Sequence, residues 1–263
     1  MESIDFMHES LNPKHAIDVL KYKKQFRKEH PDYFEPDGLL VACGAQGSGK
    51  TLTVVNYIMQ LSFWYPKMVL VTNIDILGLP KTIKVIKYTN LNQLITFFEI
   101  VNNGEYGVVY LVDEIQVLFN ALLKRGQSVQ VLEVISQQRK QRKHIVGTAQ
   151  IFMKIDKVFR EQMRNVILCK NYLGFFQYNQ IVNGSEILEE SGKPSFNQIK
   201  ARRFWFHSPE MYKRYDTSAI ISAYRAEYEN TQMSEESYQK ILNYTKEVIS
   251  NGDWFKCYFK YCF

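Results

Sequence analysis

Apolar runs in this chain are short, and none reaches the roughly 18 residues that a bilayer-spanning helix needs. The opening stretch, Met1 to Glu9, is acidic and interrupted, so no cleaved leader is expected. Cysteine is scarce as well. The four present form no CxxC pair, and Cys257 and Cys262 have no histidine nearby. That argues against a disulfide framework or structural zinc and for a reducing, intracellular compartment. Cys43 and Cys169 lie inside apolar runs and read as buried thiols. The sequence has no internal repeat, no low-complexity tract and no helix-turn-helix, zinc-finger or RNA-binding signature. Charge is not in large excess either: a net +6 permits a polyanionic partner without requiring one.

What is there is a globular balance, 46% apolar and 23% charged, which excludes wholesale disorder. The length, 263 residues, suits one α/β domain with additions. Residues 14–29 read as a basic helix carrying Lys21, Lys23, Lys24, Arg27 and Lys28, followed by a turn-rich linker to Gly38. Short apolar runs at 39–43, 68–73, 108–112, 144–147 and 166–169 read as buried strands, and 83–88 as a more exposed one. Helical patterns at 49–64, 91–101, 128–142 and 158–164 fall between them, with Ser128 a candidate cap. Buried strands alternating with helices predict a mostly parallel sheet covered on both faces. Residues 174–182 and 201–207 read as antiparallel additions, and 234–250 as an amphipathic helix. The expected organisation is an extension at 1–37, a core at 38–182 and additions at 183–263 that end in an aromatic tail.

The segment Gly44, Ala45, Gln46, Gly47, Ser48, Gly49, Lys50, Thr51 fits G-x-x-x-x-G-K-[ST], placed between an apolar strand and the helix at 49–64, with Leu52 the last residue expected to touch nucleotide. Glycines let the backbone turn successive N–H groups toward phosphates at a helix N-terminus. Lys50 then reaches the β- and γ-phosphates, and the Thr51 hydroxyl ligates Mg²⁺. A second buried strand ends in Asp113 and Glu114, which suits Asp113 to a metal and Glu114 to polarising a water. Gln150 ends the following strand, where an amide bonds both γ-phosphate and lytic water. An adjacent Asp-Glu pair favours hydrolysis of ATP over transfer to a small acceptor. A kinase of a small metabolite stays open as the alternative, although no arginine-rich lid follows the loop.

Taken together, the P-loop, the Asp-Glu strand, the arginine-rich stretch QQRKQRKHIVGTAQ with IDKVFREQMR after it, and Val71-Thr-Asn-Ile resemble the HerA/FtsK superfamily. Within it the likeness is to Zot-like ATPases of filamentous phages and to viral genome-packaging ATPases, over roughly residues 38–175. The resemblance implies a RecA-like core working as a ring, usually hexameric, with an arginine entering each site from the neighbouring subunit. Arg139 and Arg142 are the first candidates for that role, expected near the sheet edge that carries Gln150, and Arg160 and Arg164 on the next helix are the second. It also implies a DNA-translocating motor for viral or prophage packaging and assembly. Plasmid or conjugative transfer and filamentous phage export are the neighbouring readings.

DNA would be held without sequence reading by Lys and Arg. Candidates are Arg139, Lys140, Arg142 and Lys143, the loop Lys124-Arg125-Gly126-Gln127, and the basic helix at 21–28. Arg202-Arg203-Phe204-Trp205-Phe206 suits base stacking, but reads better as a strand turning its aromatics inward. Zot-like phage proteins usually carry a transmembrane helix after the ATPase domain. Its lack here points to a motor in the host cytoplasm, or at the periphery of a membrane or particle, alongside a capsid or membrane-associated assembly protein.

Overall fold

Alternate side chains of each central strand enter two separate cores, the pattern of a sheet covered on both faces. Leu39, Val41 and Cys43 of β1 (Gly38–Cys43), with Val108, Tyr110 and Val112 of β5 (Val108–Val112), face one core. Leu40, Ala42, Val109 and Leu111 face the other. The computed structural model describes residues 13–36, 38–124, 141–184 and 198–216. The arginine-rich stretch through Arg139 and Lys140, the loop residues 125–127, the helix expected at 234–250 and the aromatic tail lie outside them.

The first core is closed by α3 (Leu91–Ile100) and α4 (Ile115–Lys124) through Leu94, Phe97, Phe98, Ile115, Leu118 and Phe119. The second is closed by α2 (Lys50–Trp64) through Val54, Ile58 and Leu61. Asn90 caps α3, its side chain accepting from the Gln93 N–H at 2.8 Å. The remaining central strands are β2 (Val69–Thr72), β4 (Lys84–Lys87), β6 (Lys143–Ala149) and β7 (Met163–Tyr172). With β8 (Phe176–Val182) and β9 (Ile199–Phe206) they form an eight-stranded sheet ordered β4-β2-β5-β6-β1-β7-β8-β9. The pairs from β4 to β7 are parallel, and β7-β8-β9 are antiparallel. This is the α/β class with antiparallel additions that the sequence predicts.

Two local expectations change. The helix read at 158–164 is a short α5 (Lys157–Glu161), capped by Asp156, and Arg164 belongs to β7 instead. Pairing of Met163 with Leu39 draws the chain into the sheet before another helical turn forms. The aromatics of β9 do not all turn inward: Phe204 and Phe206 are 69% and 68% exposed and lie beside Phe176, with centroids 6.3 and 5.4 Å away. Beyond β9 the chain returns across the sheet through α6 (Pro209–Tyr212) to β10 (Tyr215–Asp216), which pairs with β3 (Asp75–Ile76). The sequence carries no clear signal for that return.

Helix α1 (Pro13–Glu29) is exposed along most of its length, with Ile17, Leu20 and Tyr22 among its exposed apolar side chains. It is joined to the core near its end, where Phe26 meets Tyr33 edge-on at 4.8 Å and the Arg27 guanidinium pairs with Glu35. Among the described residues no helix is long and apolar enough to cross a membrane.

Lys143 is a correction to the expected DNA-gripping cluster. It is buried, and its ammonium donates to the Phe98 carbonyl at 2.5 Å. Burial pulls its pKa down to about 8, while the Glu99 charge pushes it up. Between pH 8 and the ordinary 10.5, the unfolded chain holds a proton that the folded chain has released, so stability gained from Lys143 rises with pH across that window. The difference in unfolding free energy between wild type and Lys143→Met is expected to change by up to about 3 kcal/mol from pH 8 to 10.5, read by urea denaturation. A flat difference would sink this account of Lys143.

Candidate active site

The loop between β1 and α2 lies at the carboxyl edge of the parallel sheet, where α/β folds bind ligands. Gly49 is the N-cap of α2 in the left-handed conformation, φ 81°, which favours glycine over any side chain. Lys50 is buried, its ammonium donating to the Ala45 carbonyl at 3.0 Å inside the loop. Ser48 N–H closes on the same carbonyl at 3.1 Å. Thr51 is partly exposed at the first turn of α2, while Leu52 is buried and so offers the site only its backbone. A cleft of about 760 Å³ opens beside this loop, walled by Gln150 to Met153 on one side and Leu168 to Tyr172 on the other.

Strand β6 lies between β1 and β5, so its end stands between the loop and the acidic pair. Thr148 makes use of that place. Its hydroxyl donates to Asp113 Oδ1 and accepts the Glu114 N–H at 2.9 Å. Glu114 itself has a left-handed backbone, φ 53°, a strained choice for a non-glycine residue. Its carboxylate accepts from Gln150 Nε2 at 3.3 Å and from Gln116 Nε2. Thus Gln150 meets Glu114, a contact beyond the phosphate and water roles read for it from the sequence. Gln116 was not anticipated; its place two residues after the acid was the available signal.

Burial is the strongest influence on Asp113 and raises its pKa, and the Glu114 charge adds to this. The hydrogen bond from Thr148 and the Lys50 ammonium act the other way. A half-buried Asp113 carboxylate that feels the Lys50 charge and a partly exposed Thr51 hydroxyl are hard oxygen donors of the kind Mg²⁺ prefers. Among the described residues no cluster of three or more His, Cys, Asp or Glu could hold a metal ion. The thiols are inert by comparison: Cys43 and Cys169 are buried and free, and burial pushes Cys169 up to about 12.

The arginines divide. Arg142 does not approach the edge that carries Gln150. It precedes β6, whose seven residues at roughly 3.3 Å each set it about 25 Å from Gln150, at the amino edge. There its guanidinium stacks on Tyr33 at 3.7 Å. Arg160 packs over the Phe152 ring at 5.6 Å and donates to Met153 Sδ at 3.0 Å. Arg164 is exposed at the start of β7, beside Gly38.

Polar groups outside the anticipated motifs also reach the loop. Gln177 and Asn179 on β8 are buried against it, and His207 after β9 contacts Gln177. No sequence motif marks them.

A comparison with curated proteins finds no match. Among solved structures, the N-terminal domain of zonular occludens toxin from Neisseria meningitidis is similar at 18% identity and a TM-score of 0.46, covering 69% of this chain and 100% of that one. The genome packaging NTPase B204 from Sulfolobus turreted icosahedral virus 2, in complex with AMPPCP, is similar at 13% identity and a TM-score of 0.45, covering 66% of this chain and 98% of that one. The cytoplasmic domain of EssC is similar at 11% identity and a TM-score of 0.42, covering 81% of this chain and 45% of that one. The family described as Zonular occludens toxin (Zot) matches residues 39–220, well over half of the sequence and all of the site described above, and the chain therefore belongs to the Zot family.

Proposed function

We propose that this Zot-family chain hydrolyses ATP with Mg²⁺ to move DNA, as a viral or prophage packaging motor that works as a ring of identical subunits. The observation that carries the hydrolytic half is the cluster in which Thr148 and Gln150 hold Asp113 and Glu114 beside the phosphate loop. A carboxylate fixed by amide and hydroxyl partners suits activation of water, which is the step that separates a hydrolase from a kinase. Thr51 and Asp113 would hold the metal, and Lys50 with the backbone from Gly44 to Leu52 the phosphates.

The DNA half is supported by the HerA/FtsK resemblance and by exposed cations. Arg202 and Arg203 on β9 are exposed, as are Lys21, Lys23 and Lys24 on α1. An arginine supplied by a neighbour would complete the site. Of the described candidates, Arg142 is stacked on Tyr33 and Arg160 is packed on Phe152, while Arg164 lies exposed at the start of β7, at the far end of the sheet from its own loop. Export and conjugative transfer share this engine and differ in docking surfaces. The host cytoplasm, or the periphery of a membrane or particle beside an assembly protein, is the place such a motor works.

The test is the ATPase rate with and without single- and double-stranded DNA, alongside particle mass with nucleotide bound. About tenfold or greater stimulation by DNA and a multimeric ring, hexameric in the leading reading, are the expected results, a fold-change equivalent to about 1.4 kcal/mol in the barrier. A DNA-indifferent monomer that phosphorylates a metabolite would overturn the motor.

A further inference from the structure

The P-loop supplies its own backbone donors, and the buried amides behind it have no part in the chemistry above. Gln177 is fully buried and lies against the glycine that ends the loop: a Cβ added at Gly49 would sit 2.0 Å from Gln177 Oε1. Its Nε2 donates to the Ser48 carbonyl at 3.0 Å and to Asn179 Oδ1 at 2.7 Å. Asn179 Nδ2 donates in turn to Thr53 Oγ1 on α2 at 3.1 Å. Both amide hydrogens of Gln177 are therefore used, and its Oε1 accepts from His207 Nε2 at 3.1 Å. That fixes the proton of His207 on Nε2. The other ring nitrogen meets the Tyr212 hydroxyl, which also reaches the Gly174 carbonyl at 3.1 Å.

A trans peptide unit points its C=O and N–H in opposite directions. Gln177 takes the Ser48 carbonyl on the outer side of the loop, which turns the Gly49 N–H toward the inner side, where phosphates bind. Asn171 Nδ2 reaches the Gly47 carbonyl at 3.5 Å, a weaker side-chain contact to the loop backbone. These residues lie on β7, β8 and the turn after β9, outside the strands that carry the acidic pair. We propose that Gln177 is a positioning residue for triphosphate binding, and that His207 holds its amide in the one orientation that presents N–H to the loop.

This proposal rests on the nucleotide-site reading, and the test separates the two. Affinity for magnesium tripolyphosphate and for MgATP, KM and kcat for ATP, and the melting temperature without nucleotide are measured for wild type, Gln177→Met and His207→Ala. Gln177→Met keeps length and removes the donor. Loss of one such hydrogen bond corresponds to about tenfold, so it is expected to raise KM and weaken both ligands by about that factor while kcat at saturation stays near wild type. His207→Ala frees the amide to turn and is expected to raise KM about threefold, a smaller share of the same hydrogen-bond energy. If Gln177→Met does not fold, His207→Ala decides, since the imidazole is only partly buried. Unchanged KM in folded variants, or a fall in kcat with KM intact, overturns the positioning role. Wild type that binds neither ligand overturns the nucleotide site itself.

Discussion

Glu114→Gln is expected to bind MgATP within a few-fold of wild type and to turn over about 10² to 10⁴ times more slowly, the range general-base catalysis supplies. The substitution keeps the shape and the hydrogen-bonding reach of the side chain while removing its ability to take a proton. In this site the contrast is sharp. Thr148 fixes the backbone of Glu114 through its N–H, and the Gln116 and Gln150 amides donate to its carboxylate. A glutamine there retains one carbonyl oxygen for one of those donors, so the strand end and the loop stay in place. The phosphate contacts of the loop do not pass through Glu114. Single-turnover hydrolysis with an equilibrium binding measurement separates the two effects. Normal hydrolysis by Glu114→Gln would assign the base to another residue.

The parts of this molecule that follow from local pattern were readable before any coordinates. Buried strands ended where Gly44, Asp113 and Gln150 stand, because an apolar run that meets a polar residue at the sheet edge is both a packing signal and a site signal. The place of Gln150 at the end of the strand after the acidic pair was legible, but its contact with Glu114 was not. What the sequence could not give is longer in range. Arg142 looked close to Gln150 because they are neighbours in sequence, yet a whole strand separates them. Lys143 looked like part of a basic face, but a lysine that opens a central strand is carried into the core, where a carbonyl satisfies it. Gln177, Asn179 and His207 are ordinary polar residues until β7, β8 and β9 bring them behind the loop. No periodicity encodes that meeting, since it depends on antiparallel register between segments far apart in the chain.

Lys50→Ala is expected to weaken ATP by about a hundredfold, the loss of ~3 kcal/mol for a charge-assisted contact to phosphate, and to reduce turnover at saturation by a further factor of about 10² to 10³. The ammonium is buried within the loop, so water replaces it poorly. This variant is also the means of finding the arginine that acts between subunits. Arg164 stands at the start of β7 beside Gly38, at the opposite end of β1 from the loop, and cannot serve its own chain's phosphates. In the proposed ring, any part it took in catalysis would be at the neighbour's site. Arg164→Ala subunits keep an intact loop but lack the arginine, and Lys50→Ala subunits keep the arginine but lack the loop. Where the two meet in the right order, one complete site is rebuilt. Mixtures of two inactive proteins should therefore recover ATPase activity, peaking near equal proportions. The same mixing with Arg139→Ala, Arg142→Ala or Arg160→Ala identifies the residue if Arg164 gives no recovery. Failure of all four mixtures, with rings still forming, would remove arginine sharing from the proposed mechanism and leave each subunit to complete its own site.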